Sequence, residues 1–125
     1  MLARNPETLL AAYEAALALH RWDAVEAYID DDACFVFSDG THHGKQAIER
    51  AIRATFERIQ DESYRIQDVR WIHVAADCAL CTYRFVWSGV IDGVASQGGG
   101  RGTSLLVASA NGWKVKHEHL GPDAR

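Results

Sequence analysis

Hydrophobic residues recur at helical spacing in the first half of the chain and in strand-like runs in the second half. Leu9, Tyr13 and Leu17 lie four residues apart, which predicts the buried face of a first helix. Asn5 followed by Pro6 predicts where this helix begins. An Asn side chain caps the first free amides, and the fixed φ of proline suits the first helical position.

A second, shorter helix is predicted from Trp22 to Ile29. We expect it to stop at Asp30–Asp32, because three acids oppose the negative C-terminal end of a helix. The apolar run Cys34–Phe37 then predicts a short buried strand, and residues 38–41 supply turn chemistry after it.

The third helix has the most regular pattern in the sequence and follows Gly44, ending near Gln60. Its buried side chains lie on a single stripe, and they are Ile48, Ile52, Thr55, Phe56 and Ile59.

Four β-rich runs fill the rest of the chain: Tyr64–Val74, Cys78–Ser88, Val94–Ala108 and Trp113–Leu120. The residue pairs that separate them are Ala76-Asp77, Asp92-Gly93 and Asn111-Gly112. Asp-Gly and Asn-Gly favour two-residue hairpin turns, because both positions take positive φ. Three hairpins in succession predict an antiparallel meander, in which Gly98–Gly100 predicts a bulge or bend.

Helices that precede strands without alternation predict an α+β domain. We expect one domain over residues 1–125, with three N-terminal helices packed on one face of a curved sheet. A bent sheet covered by helices encloses a cone, and the open end of the cone is a natural pocket for a small molecule.

Charge and cysteine content exclude several classes of protein. The net charge is −4 and no Lys/Arg cluster is present, which argues against a nucleic-acid partner. No apolar run is long enough to span a membrane and no signal-like start occurs, so we expect no membrane partner and a cytoplasmic location. Cys78 and Cys81 lie on opposite faces of a predicted strand, so neither a disulfide framework nor a zinc site is expected there.

The last predicted strand has two different faces. One face carries Lys114, Lys116 and Glu118, and the other carries Trp113, Val115, His117 and His119. We expect the face with the two histidines to look into the cavity.

The register of the last hairpin decides which residues accompany these histidines. A two-residue Asn-Gly turn would place Leu106 and Ser104 opposite them. A loop one residue longer would instead bring Leu105 and Thr103 there, together with Arg101.

His117 and His119 are candidate general acid–base residues, because imidazole titrates near neutral pH. Two alternatives are a metal site completed by His42, His43 or Asp39, and a hydrogen-bonded wall without chemistry. No fixed spacing links the two groups of residues, so we expect no metal.

Asp39 is a second candidate base. It follows the strand that ends at Phe37, and a carboxylate at the mouth of an apolar cavity can accept a proton. The alternative is a simple turn role for the Asp-Gly pair. Tyr83, on an aromatic stripe with Phe85 and Trp87, is a candidate hydroxyl for stabilising an oxyanion.

Further residues are expected to bind a ligand because they project from the helices or from the wide end of the sheet. They are Tyr13, Trp22, Phe37, His42, Phe56, Trp87, Arg101 and Ser104.

Three segments carry a resemblance to a known family: "DGTHHGKQAI" at residues 39–48, "GRGTSLLV" at 100–107 and "NGWKVKHEHLG" at 111–121. In this order along nearly the whole chain, they resemble the SnoaL-like branch of the nuclear transport factor 2-like superfamily. The chain is also similar to the association domain of calmodulin-dependent kinase.

The resemblance implies a cone-shaped, cystatin-like α+β barrel with a mixed or antiparallel sheet, and a homodimer or larger ring formed through the outer face of the sheet. Relatives include polyketide cyclases, ketosteroid isomerase, scytalone dehydratase and epoxide hydrolases, which use no metal or organic cofactor. The resemblance therefore implies an isomerase, cyclase or dehydratase acting on a small apolar carbonyl compound. The alternative is a noncatalytic module that senses a ligand or assembles subunits.

Overall fold

The protein is described by a computed structural model over residues 3–124. Its helices are α1 (Pro6–Leu17), α2 (Trp22–Val25), which continues into a 3-10 turn at Glu26–Tyr28, and α3 (Gly44–Arg58). The strands are β1 (Ile29–Phe37), β2 (Gly40–His43), β3 (Gln60–Val74), β4 (Cys78–Ile91), β5 (Val94–Ser109) and β6 (Gly112–Gly121). None of the helices within this range is long and apolar enough to cross a membrane.

The predicted α+β class is confirmed, since three helices pack on a mixed six-stranded sheet in the order β2-β1-β6-β5-β4-β3. Strands β3 to β6 form the predicted antiparallel meander, and β1 runs parallel beside β6. The sheet is open, with β2 and β3 at its edges, so these strands form a curved trough rather than a closed barrel.

The first helix begins as predicted. The Asn5 side chain accepts a hydrogen bond from the Thr8 amide at 2.8 Å, and Pro6 occupies the first turn. The Glu14 side chain accepts a hydrogen bond from the Ile66 amide, which ties α1 to β3. Helix α1 therefore lies across the concave face of the sheet.

The core fills the space between the helices and this concave face. Its fully buried members come from both layers, and they include Leu9, Val25, Ile29, Phe35, Ile48 and Leu106. Their burial removes most of the apolar face of each element from water, which is the main stabilising term of the fold.

The second predicted helix is shorter than expected and the following strand is longer. Strand β1 already begins at Ile29, so Asp30–Asp32 lie in a strand and do not end a helix. Two of these acids are paired with lysines, Asp30 with Lys116 at 3.2 Å and Asp31 with Lys45 at 3.0 Å. Gly40 and Thr41, predicted as turn residues, begin the edge strand β2 (Gly40–His43).

Bulges bend the sheet, and they are not where the glycines predicted them. In β3 the pairing with β4 shifts near Asp61 and again near Asp68, and both residues have positive φ, at 52° and 55°. Aspartate tolerates this left-handed conformation better than most residues. Gly98–Gly100 pair with β4 without any shift in register, so the prediction of a bulge there is wrong.

These glycines instead make room for aromatic rings. Along the inner face, glycines of β5 lie opposite aromatic residues of β4, in the pairs Gly98–Trp87, Gly100–Phe85 and Gly102–Tyr83. A Cβ on Gly98 would lie 2.7 Å from the indole nitrogen of Trp87, and a Cβ on Gly102 would collide with the Tyr83 ring. The aromatic rings therefore need the bare glycine backbone beside them.

The Gly102→Ala substitution is expected to lower the free energy of unfolding by about 1–3 kcal/mol, because the added methyl group overpacks the Tyr83 ring. Gly121→Ala is the control, since a Cβ at Gly121 meets nothing within 4 Å. Urea unfolding of both variants measures the difference. Equal losses of stability would contradict the proposed packing of Tyr83 on Gly102.

Candidate functional site

A cavity of about 370 Å³ opens between the C-terminal half of α1, the helix α3 and the wide end of the sheet. Most of its wall is aromatic or aliphatic. The lining includes five residues that the sequence predicted, namely Tyr13, Phe37, Asp39, Phe56 and Trp87. Two unpredicted residues that bear on its chemistry, Glu62 and Tyr64, also lie in the wall.

The last strand contains a bulge that reverses its faces. Leu106 pairs with Val115 and Leu105 pairs with His117, so Lys116 is an extra residue without a partner in β5. Each residue after Lys116 therefore points to the opposite side from the one that simple alternation predicts.

The prediction that His117 and His119 face the cavity is wrong. His119 is exposed, whereas Glu118 is buried, pairing with Ser104 on one side and with Phe35 on the other. The two histidines lie on the outer face of the sheet.

The residues opposite the two histidines are Leu105 and Thr103, as expected for the longer of the two predicted connections. The turn itself is short, because Ser109 pairs with Gly112 and leaves two residues between them. The bulge, and not a longer loop, therefore produces the observed register.

Glu118 is the most deeply buried acid among the described residues, with 4% of its surface exposed. The Tyr13 hydroxyl donates a hydrogen bond to its Oε1 at 3.0 Å. Burial raises the pKa of Glu118 from its ordinary 4.5 to about 7, and the Tyr13 hydrogen bond partly opposes this rise. Burial also raises the pKa of Tyr13 well above its usual value, so the phenol keeps its proton.

Tyr83 and Ser104 form a second buried polar pair, in which their hydroxyl oxygens lie 2.8 Å apart. Both residues are almost fully buried, and neither belongs to the cavity wall. Burial raises the pKa of Tyr83 well above its usual value. The structure therefore does not bring Tyr83 or Ser104 to the cavity, where the sequence analysis expected them.

Glu62 and His20 were not predicted from the sequence. Glu62 lines the cavity, and its Oε1 lies 3.0 Å from Nε2 of His20. Only 8% of the Glu62 side chain is exposed, and burial raises its pKa while the nearby His20 lowers it. His20 stacks on the cavity residue Phe56, with ring centroids 4.7 Å apart.

Irregular backbone geometry orients the side chains of both His20 and Glu62. His20 has a φ of 53° in the turn after α1, and Glu62 follows the bulge at Asp61 in β3. The two residues belong to segments that are far apart in the chain, and no sequence spacing connects them. A positive φ at a non-glycine residue is a structural signal that sequence pattern does not provide.

Asp39 lies at the cavity mouth, with 68% of its side chain exposed. Its Oδ1 is 3.1 Å from Nε2 of His42, and the His42 ring lies 5.5 Å from the ring of Phe37. His42 therefore contacts two cavity residues from outside the wall.

The remaining predicted ligand contacts, Trp22 and Arg101, lie away from the cavity. Trp22 is buried in the hydrophobic core, and Arg101 is exposed, with its Nε donating to the Pro122 carbonyl oxygen at 3.3 Å. Within residues 3–124, no three His, Cys, Asp or Glu side chains are arranged to hold a metal ion.

The sequence profile of the SnoaL-like domain matches residues 7–122, which is nearly the whole chain. The chain belongs to the SnoaL-like family. This membership confirms the resemblance in the segments around Asp39, Gly100 and the last strand. No curated protein matches the sequence of this SnoaL-like protein.

Solved structures with the same fold come from several bacteria. A nuclear transport factor 2-like superfamily protein from Salmonella enterica has a TM-score of 0.85 at 15% identity, over 94% of this chain and 87% of that chain. A protein from Thiobacillus denitrificans, provisionally named as a calcium/calmodulin-dependent protein kinase association domain, has a TM-score of 0.84 at 19% identity, over 99% of both chains.

A third structure, from Novosphingobium aromaticivorans, is provisionally named as a scytalone dehydratase. Its TM-score is 0.78 at 14% identity, over 91% of this chain and 78% of that chain. Likeness at these identities establishes the nuclear transport factor 2-like fold of the SnoaL-like protein. It does not establish an activity.

Glu118→Gln is expected to change how stability depends on pH. The unfolded chain releases the Glu118 proton near pH 4.5 and the folded chain near pH 7, so ionisation of Glu118 destabilises the wild type as pH rises between these values. At about 1.4 kcal/mol per pKa unit, the wild type should lose about 3 kcal/mol relative to Glu118→Gln between pH 4 and pH 8. Urea unfolding across this range measures the loss, and parallel stability curves for the two proteins would contradict it.

Proposed function

We propose that this SnoaL-like protein binds a compact, largely apolar molecule in its cavity and removes a proton from it. An apolar wall with a few polar groups is the usual composition of a small-molecule site. The observation that carries the catalytic part is Glu62, a carboxylate of an apolar cavity that is 8% exposed and lies 3.0 Å from an imidazole nitrogen of His20.

Glu62 is the proposed general base. Because burial raises its pKa, the ionised carboxylate binds a proton more strongly than a carboxylate in water does. The neighbouring His20 keeps the ionised form accessible by pairing with it. Asp39 lies at the mouth, where water solvates most of its side chain, so we assign the base to Glu62 instead.

The proposed step is loss of a proton from the carbon next to a carbonyl group. The electron pair of the broken C–H bond moves into the carbon–carbon double bond of an enolate, and the proton resides on Glu62. Return of the proton to another carbon of a conjugated enolate completes an isomerisation. In a dehydration the hydroxyl group on the next carbon instead takes the proton back from Glu62 and leaves as water, while the enolate electrons form the new carbon–carbon double bond and restore the carbonyl. Tyr64 is the proposed hydrogen-bond donor to the enolate oxygen, since it lines the cavity. Burial raises the pKa of Tyr64 well above its usual value, so its hydroxyl keeps the proton that it would donate.

A noncatalytic binding protein is the second candidate function. Two of the buried phenols, Tyr13 and Tyr83, already use their hydroxyl groups on Glu118 and Ser104. A cavity whose neighbouring hydroxyl groups are satisfied in this way suits ligand sensing, in which no oxyanion has to be stabilised.

The homodimer implied by the family resemblance stays a prediction. The outer face of the sheet carries a row of half-buried apolar side chains, among them Val36, Leu80, Leu105 and Val107. A second copy of the chain is the proposed cover for this face.

Ligand binding in the cavity is tested with two substitutions on α3. Ala51 lines the cavity and Ala54 is exposed on the same helix. Aromatic ketones such as acetophenone are expected to raise the melting temperature of the wild type and of Ala54→Trp, because they bind only the folded state. Ala51→Trp should abolish this rise by filling the cavity. An equal rise in both variants would contradict binding at this site.

The assignment of the base is tested by deuterium exchange of the methyl protons of acetophenone, followed by NMR. Glu62→Gln is expected to lower the exchange rate about 100-fold or more, because it removes the proton acceptor. Asp39→Asn is the matched control and should lower the rate by less than about tenfold. A larger loss in Asp39→Asn would overturn the assignment, and binding without any exchange by the wild type would favour the noncatalytic candidate.

A further inference from the structure

Tyr13 connects the cavity to the buried acid behind it. Its side chain belongs to the cavity wall, and its hydroxyl donates to Oε1 of Glu118 at 3.0 Å. Glu118 itself lies outside the wall and is nearly fully buried. Tyr13 is therefore the hydrogen-bonded link between Glu118 and a molecule bound in the cavity.

The proton of Glu118 decides how Tyr13 uses its own proton. An ionised carboxylate can only accept hydrogen bonds, so the phenol must donate to it and keeps only acceptor capacity for a ligand. A protonated carboxyl group can donate its O–H to the phenol oxygen. The phenol proton is then free to bind an acceptor in the cavity.

We propose that Glu118 is a specificity-determining positioning residue, which sets whether the Tyr13 hydroxyl, beside that of Tyr64, offers a ligand in the cavity a hydrogen-bond donor or only an acceptor. Molecules with a carbonyl oxygen then bind when Glu118 is protonated. Molecules with a hydroxyl group bind when Glu118 is ionised. The inference rests on the proposed function, because it names the polar group of the ligand that the cavity accepts.

The surroundings of Glu118 allow this change of state. Titratable groups that face it are Tyr13 from α1, Tyr64 from β3, and Cys81 and Tyr83 from β4. Burial raises the pKa of the three tyrosines well above its usual value and raises the pKa of Cys81 to about 11. All four groups therefore stay neutral near pH 7. No ion pair to Glu118 occurs between residues 3 and 124.

The residues paired with Glu118 in the two neighbouring strands are uncharged. Its partner in β5 is Ser104, whose hydroxyl is engaged by Tyr83, and its partner in β1 is Phe35. Since burial raises the pKa of Glu118 to about 7, both of its states are populated at ordinary pH.

The test compares acetophenone with its matched alcohol, α-methylbenzyl alcohol, by calorimetry between pH 6 and pH 9. For the wild type, the affinity for the ketone should fall about 10- to 100-fold over this range, because binding takes up a proton. The affinity for the alcohol should not fall. Titrations in buffers of different ionisation enthalpy should show uptake of close to one proton with the ketone at pH 8.

Glu118→Gln is the matched variant, since the amide keeps the shape of the side chain and cannot ionise. It should bind the ketone with an affinity that no longer depends on pH and without proton uptake. Tyr13→Phe should remove the difference between ketone and alcohol. A ketone affinity that is constant in the wild type, or a pH dependence that persists in Glu118→Gln, would overturn the inference and leave the proposed function intact.

Absence of binding by both probes would count against the proposed function, and a titration without ligand then decides the inference. The carboxyl carbon of Glu118, followed by NMR, should titrate at a higher pH in Tyr13→Phe than in the wild type, because the variant lacks the hydrogen bond that stabilises the ionised form. Unchanged titration would show that Tyr13 and Glu118 are not coupled, and it would overturn the inference.

Discussion

The extra residue Lys116 in β6, which has no strand partner in β5, is the constraint on which the interior of this protein depends. One extra residue reverses the faces of the strand after it. The Glu118 carboxyl group therefore lies on the inner face beside Phe35 and Ser104, and the two histidine side chains lie on the outer face. Burying a charge is costly, and the hydrogen bond from Tyr13 offsets only part of that cost. The acid therefore holds its proton up to about pH 7 and gives the interior its sensitivity to pH.

The same end of the sheet carries the cavity, in which the aromatic and the acidic parts have different origins. Trp87 belongs to a ladder of rings that lie over glycines of β5, so its position follows from strand pairing. The position of Glu62 follows from the bulge at Asp61 in β3, and the position of His20 follows from its own positive φ in the turn after α1. The rigid sheet thus supplies the wall, and the irregular segments supply the groups that can exchange a proton.

The sequence predicted the fold and the aromatic wall because both follow from local patterns. The Asn5 cap and the meander were confirmed, since capping and turn residues act over a few positions. The stripe of α3 was confirmed in part, because Ile48 and Ile52 are buried whereas Thr55 is exposed and Ile59 lies just after the helix. Tyr13 and Phe56 were expected at the cavity because they lie on helix faces that cover the sheet. Helical periodicity therefore located one side of the site correctly.

The acidic part of the site could not be predicted from the same patterns. A bulge shifts the strand pairing by one residue. The single shift at Lys116 decides whether His117 or Glu118 is the inward side chain, and it forms only when the sheet is packed. Acids usually lie at the surface, so the sequence predicted Glu118 on the outer face of the sheet, whereas it is buried. Glu62 meets His20 only because α1 and β3 pack together.

The most direct test of this account is a nuclear Overhauser spectrum of the folded protein that reports which side chains of β6 lie inside. The account predicts cross-peaks between the Glu118 side chain and the ring protons of Tyr13, with the His119 ring showing none to Tyr13 or Phe35. Cross-peaks from the His117 or His119 ring to Phe35, with Glu118 lacking contact to Tyr13, would contradict the bulge at Lys116 and the buried acid that follows from it.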